Sequence, residues 1–222
     1  MTPVLISQLL VTNEWTQAMA RRIGENWAKA HDALSALTGR SAPSAPIVLV
    51  DEATIDSLAP PVEWEAKRGN ALYRTFHGSQ RPHERSRRSW LDDLESTEDR
   101  APVPTDVTPA MLTMACALRD MSEGAARRLC DELHAPRFVA GDCAILVCPA
   151  RARKVLVSLR LFLPDLVTQI LLHESVHLTQ RPGRDIDDVW ADEVEAQFVG
   201  FAAARHLNPS IRRTFIQTAL VL

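Results

Sequence analysis

His173, Glu174 and His177 are the residues of this chain with the most definite chemistry, reading H-E-x-x-H inside an apolar run that starts at Leu163. On a helix, residues four apart lie about 40° apart around the axis, so both imidazoles can reach one ion. The glutamate after the first histidine projects from a neighbouring part of the surface, where its carboxylate can hold a water against that ion rather than bind the ion itself. A plainer alternative is a pair of core histidines with Glu174 paired to an arginine. It would bury two imidazoles and a carboxylate on an apolar helix without a shared partner, which is strongly destabilising.

A catalytic zinc takes three protein ligands and keeps one position for water. The third ligand must come from another element, and the best source is the stretch Trp-Ala-Asp-Glu-Val-Glu-Ala-Gln-Phe-Val-Gly at 190–200. As a helix it puts Glu193, Ala196, Gln197 and Gly200 on one face. Ala196 and Gly200 are small and let two helices approach closely, which is what a glutamate on a second helix needs in order to reach the ion. Glu193 is therefore the expected third ligand, with Glu195 and Asp192 as alternatives in a shifted register.

H-E-x-x-H followed by a helix carrying E-x-x-A-(Asn/Asp/Gln) resembles the gluzincin branch of zinc metallopeptidases, including compact forms with an E-x-x-A-N-x-F-A-like segment. The resemblance implies a zincin-like fold in which His173, His177 and Glu193 hold one Zn2+. It makes Glu174 the general base, activating a zinc-bound water to hydrolyse a peptide or amide bond. Gln197 matches the polar position that steadies a ligating histidine, although many gluzincins have Asp or Asn there. The resemblance covers about 161–204, roughly a fifth of the chain, so the substrate is specified no further than a peptide or protein. No third histidine stands as in H-E-x-x-H-x-x-G-x-x-H, which disfavours a metzincin. Tyr73, Arg205 and His206 are candidate donors to an oxyanion. The alternative function is a catalytically idle zincin-like domain that uses zinc for structure and binds a protein partner.

Several elements have to position these residues. Asn13 can cap a helix over 14–37 with Gly39 just past its end, and Trp15, Met19, Ile23, Trp27, Ala30 and Leu34 give it one apolar stripe. A loop at 41–46 leads to a short buried strand at 47–50, and Asp51 can cap a short helix. Thr108 and Pro109 read as the start of a helix running to about Met121, and Ser122 as the cap of another over 123–134. The runs 143–148 and 154–162 read as strands, the second alternating Val155, Val157, Leu159 and Leu161 against Ser158 and Arg160, with 149–153 as a hairpin connection. That second strand is a candidate edge for an extended peptide. The H-E-x-x-H helix follows over 163–180, then a loop at 185–188, a helix over 189–206 and a last helix over 211–220. The expected fold class is α+β and mainly helical, one domain over 1–222, with a small sheet next to the H-E-x-x-H helix and the metal core at about 137–206.

Residues 67–105 differ in character. Arg68, Arg74, Arg81, Arg85, Arg87 and Arg88 crowd one part, and Asp92, Asp93, Glu95, Glu98 and Asp99 the other. This reads as an exposed polar insert whose halves neutralise each other, flanked by Trp64 and Trp90. Without interleaved aromatics, the arginines do not favour nucleic acid. A net charge of −3 gives no general attraction to nucleic acid or anionic membrane. No apolar run approaches the roughly 20 residues that span a bilayer. Four cysteines without a C-x-x-C read as reduced thiols. With no basic, apolar leader at the start, the chain reads as a soluble cytoplasmic protein.

Overall fold

The structure is a computed structural model and describes residues 4–6, 10, 12–41, 45–58, 115–133, 141–159, 162–180 and 186–209. The described chain is mainly helical, with a small sheet, in the order β1 (Val4–Ile6), α1 (Glu14–Thr38), β2 (Ile47–Leu49), α2 (Glu52–Leu58), β3 (Ala115–Leu118), α3 (Glu123–Leu133), β4 (Ala144–Val147), α4 (Pro149–Leu159), α5 (Leu163–His177) and α6 (Ile186–Leu207).

α1 begins and ends where its caps dictate. The Asn13 side chain accepts from the Thr16 N–H at 2.9 Å, and Gly39, at φ 65°, donates its N–H to the Ser35 carbonyl. Only glycine enters that left-handed conformation without a Cβ penalty, so the helix stops there. Its stripe of Met19, Ile23, Trp27, Ala30 and Leu34 is buried. Asp51 caps α2 through the Thr54 N–H, and Ser122 caps α3 through the Ala125 N–H.

The strands form one sheet in the order β1-β2-β4-β3, with β1, β2 and β4 parallel and β3 antiparallel to β4. Ile47, Leu49, Ile145 and Val147 face a core shared with α1, α5 and α6. Val48, Ala144 and Leu146 face the opposite way, against Ile55 and Leu58 of α2 and Ala125, Ala126 and Leu129 of α3. Helices therefore cover both faces, which explains why β2 and β4 are continuous apolar runs rather than alternating ones.

Two elements differ in kind from the sequence reading, β1 is a strand that it did not contain, and α5 ends at His177 rather than at 180. Residues 154–159 are not a strand and 149–153 are not a hairpin: α4 spans Pro149–Leu159, and 160–161 lie outside the described residues. Proline at the first helical position supplies a preset φ, and the Ala-Arg-Ala-Arg-Lys that follows favours helix. Ala152 is buried and Leu156 packs beside it at four-residue spacing, whereas Val157, from the expected inward face of a strand, is 67% exposed. Arg151 and Lys154 then reach Asp56 and Glu52 of α2. The expected helix to Met121 is also overturned over 115–118, because β3 pairs with β4 there, Cys116 opposite Leu146. Ala, Leu and Met favour helix locally, but cross-strand pairing on a buried sheet outweighs a preference of a few tenths of a kcal/mol per residue. α6 starts three residues earlier than expected, so 186–188 are helical rather than loop. The polar insert, Trp64, Trp90, Tyr73, the start of the helix expected at 108 and the helix expected over 211–220 lie outside the described residues.

α5 is the central helix. Leu166 to Leu172 and Glu174 to Val176 are all buried. It packs on α1, α6, α4 and β3, and a helix enclosed on so many sides must be apolar nearly all round. None of the four cysteines is in a disulfide, and no helix among the described residues is long and apolar enough to cross a membrane.

Candidate metal centre

The last turns of α5 carry the site. His173 is half-buried, Glu174 is 6% exposed and His177 is half-buried. The two imidazoles meet edge to face, ring centroids 4.6 Å apart, with their Nε2 atoms 3.0 Å apart. Two nitrogens about 2.0–2.1 Å from one tetrahedral ion would sit about 3.3 Å from each other. The observed separation is close to that, so the pair fits a shared ion. Glu174 Oε1 lies 3.9 Å from His173 Nε2, which sets its carboxylate beside the point on which the rings converge.

α6 runs antiparallel along α5, and the contacts fix its register. Asn208 donates to Asp165 Oδ1 at one end, and at the other Gln180 Nε2 donates to the Asp192 carbonyl and to Glu195 Oε2, each at 2.9 Å. Between them the two backbones nearly touch. A Cβ at Gly200 would lie 3.0 Å from His173 N, 3.2 Å from His173 Cα and 3.3 Å from the Leu172 carbonyl carbon. Ala196 is fully buried. The small residues thus bring the helices together as their spacing implies.

This register sets 192–196 beside the 177–180 end of α5. Glu193 belongs to that part of α6; its side chain lies outside the described residues. Among the described residues no three His, Cys, Asp or Glu side chains converge on one point. Glu195 is not placed as an alternative ligand, because Oε1 is held by Arg40 at 2.7 Å and Oε2 by Gln180. Asp192 contributes its backbone carbonyl to Gln180. Gln197 is half-buried one turn after Glu193. An amide that hydrogen-bonds a site histidine is Gln180, whose Oε1 is 2.9 Å from His177 Nδ1. Arg205 and His206 are exposed on the last turn of α6, near the end tied to Asp165 and away from His177.

Three residues of this neighbourhood escaped the sequence reading. Gln180 could have been found, since it lies three residues after His177 and so on the same side of the helix. Arg119, which donates to the Gln180 carbonyl, follows a strand that reads locally as helix. Arg40 follows the αL cap of α1 with no sequence feature to connect it to Glu195. Outside the site, burial pushes the Cys148 thiol up from its ordinary pKa, against the opposing backbone N–H groups of Arg151 and Ala150.

Comparison with protein-family models, with curated proteins and with solved structures gives no match for this chain.

Proposed function

We propose that this chain is a zinc-dependent hydrolase of peptide or amide bonds, similar to gluzincin metallopeptidases, with His173, His177 and Glu193 as zinc ligands and Glu174 as general base. The observation that carries the reading is the convergence of His173 Nε2 and His177 Nε2 to 3.0 Å with the buried Glu174 carboxylate beside them. The close packing of α6 at Gly200 supports Glu193, because it brings that helix within a side chain's reach of α5.

Zinc, when bound, would supply a Lewis acid that acidifies water and polarises a carbonyl. Glu174 takes the proton of the attacking water and delivers it to the leaving amine. Its burial keeps competing water away from the carboxylate and strengthens its interaction with a nearby proton donor. β3 is the outermost strand of the described sheet on its side and packs against α5. That strand is the edge to which an extended substrate would add, a mode of binding in which the main chain supplies affinity and pockets supply specificity.

The test is zinc content per chain on untagged protein, for wild type, Glu193→Ala and Glu174→Gln, followed by a peptide-library hydrolysis assay. One zinc in wild type, loss in Glu193→Ala, and retention with no turnover in Glu174→Gln is the expected pattern. Wild type that binds no zinc after reconstitution overturns the reading. Zinc-bound wild type without turnover would leave a structural zinc domain that binds a protein partner.

A further inference from the structure

Gln180 is the junction of four elements. Its side-chain NH2 donates to the Asp192 carbonyl and to Glu195 Oε2, both on α6. Its backbone carbonyl accepts from Arg119, just after β3. Glu195 in turn accepts from Arg40, just after α1, at 2.7 Å. The fourth element is α5 itself, through His177.

The chemistry of these partners fixes which way the amide points. A carbonyl and an ionised carboxylate are acceptors only, so both must face the NH2 group of Gln180. A flipped amide would set its oxygen against two other oxygens at 2.9 Å. The amide oxygen therefore faces His177 Nδ1, and because that oxygen can only accept, Nδ1 must carry the proton. With its proton on Nδ1, His177 keeps its lone pair on Nε2, the atom that lies 3.0 Å from His173 Nε2 and that can accept from it or face a shared ion.

We propose that Gln180 is the positioning residue that locks His177 in its Nδ1–H tautomer and aims its Nε2 at the metal, with Glu195 fixing the orientation of the Gln180 amide from α6. The assignment of His177 as a ligand rests on the function proposed above; the tautomer lock does not. A hydrogen-bonded partner on the far ring nitrogen raises ligand basicity and removes the rotational freedom otherwise lost on binding, and losing such a partner weakens metal binding by about 10–100-fold. Arg40 contributes less, since its ion pair with Glu195 is 49% and 34% exposed and screened by solvent.

The experiment reads the lock with and without metal. Side-chain nitrogen NMR on metal-free protein assigns the tautomer of His177, and competition titration with Zn2+ gives the affinity, for wild type, Gln180→Leu, Glu195→Gln and the double variant Gln180→Glu/Glu195→Gln. Wild type is expected as Nδ1–H. Gln180→Leu should lose that preference and bind Zn2+ about 10–100-fold more weakly. Glu195→Gln, which touches neither histidine, should move both readouts in the same direction by less. The double variant restores an acceptor for His177 and a donor from residue 195 to residue 180, but leaves the Asp192 carbonyl without its donor, and should recover the tautomer and part of the affinity. A residue that only held the fold together would shift the melting temperature without moving the tautomer. The proposal is overturned if wild-type His177 is Nε2–H, or if Gln180→Leu keeps both the Nδ1–H form and wild-type affinity. Should Gln180→Leu fail to fold, Glu195→Gln and the double variant decide alone. Wild type with the tautomer as expected but no Zn2+ binding would leave the lock standing and remove the hydrolase reading.

Discussion

Glu174 is a carboxylate buried to 6% exposure on an otherwise apolar helix, beside an imidazole nitrogen 3.9 Å away. A charge in that position is destabilising unless it is paired or hydrogen-bonded. Glu174→Gln keeps the shape and removes the base, so turnover should fall by about 10²–10⁴ while zinc content and melting temperature stay close to wild type; zinc loss in this variant would instead make Glu174 a ligand. Cys148 gives a control elsewhere in the fold. Its thiol is fully buried and its pKa is raised, so at neutral pH it should resist thiol reagents in native protein and react only on unfolding, as mass mapping of alkylated peptides would show. A raised folded-state pKa for an acid means that the unfolded chain gives up the proton first. This group's contribution to stability is therefore complete below the ordinary thiol pKa and declines as pH rises above it.

At the scale of elements, the proposed third ligand depends on the α5–α6 contact. The site depends on Gly200, since a methyl group there would meet the backbone of His173 and Leu172 at 3.0–3.3 Å. Backbone atoms cannot rotate aside, so Gly200→Ala should push α6 outward. The strain, about 1–3 kcal/mol, outweighs the gain of up to about 1 kcal/mol in helix propensity. The expected result is a lower melting temperature together with weaker zinc retention. An unchanged or higher melting temperature with full zinc content would show that the helices have slack at the crossing. The sequence made this contact legible, because Ala196 and Gly200 share a face with Glu193. It did not make β3 or α4 legible. At β3 the outcome was decided by a partner distant in sequence, the edge of β4; at α4 Pro149 and the Ala-Arg-Ala-Arg-Lys that follows it favour helix locally, against the alternating apolar residues that read as a strand.

At the scale of the whole molecule, the site lies where both helical layers of the near side, α1 and α6, meet the central helix and the sheet edge. Arg40, Gln180 and Arg119 tie the ends of α1, α5 and β3 to one point beside Glu195 in the middle of α6. Metal binding should therefore stabilise the entire fold rather than a local loop. With free Zn2+ at about 100 times its Kd, linkage gives about 2.7 kcal/mol. Chelation should lower the melting temperature of wild type and leave that of Glu193→Ala unmoved, as calorimetry with and without chelator would read. Equal melting temperatures for chelated and zinc-loaded wild type would disconnect the site from the fold.

What the sequence determined by itself is what depends on local stereochemistry. Asn13 and Gly39 bound α1, Asp51 and Ser122 cap their helices, and the four-residue spacing of His173 and His177 puts both rings on one side of α5. Each follows from residues within a turn or two of each other. Tertiary structure alone decided that 115–118 is a strand and that Glu195 is held by Arg40 and Gln180. Those outcomes turn on partners brought together from α1, the sheet and α6. No window of sequence contains both sides of such a contact, and the free energy that settles it is the packing and hydrogen bonding between them.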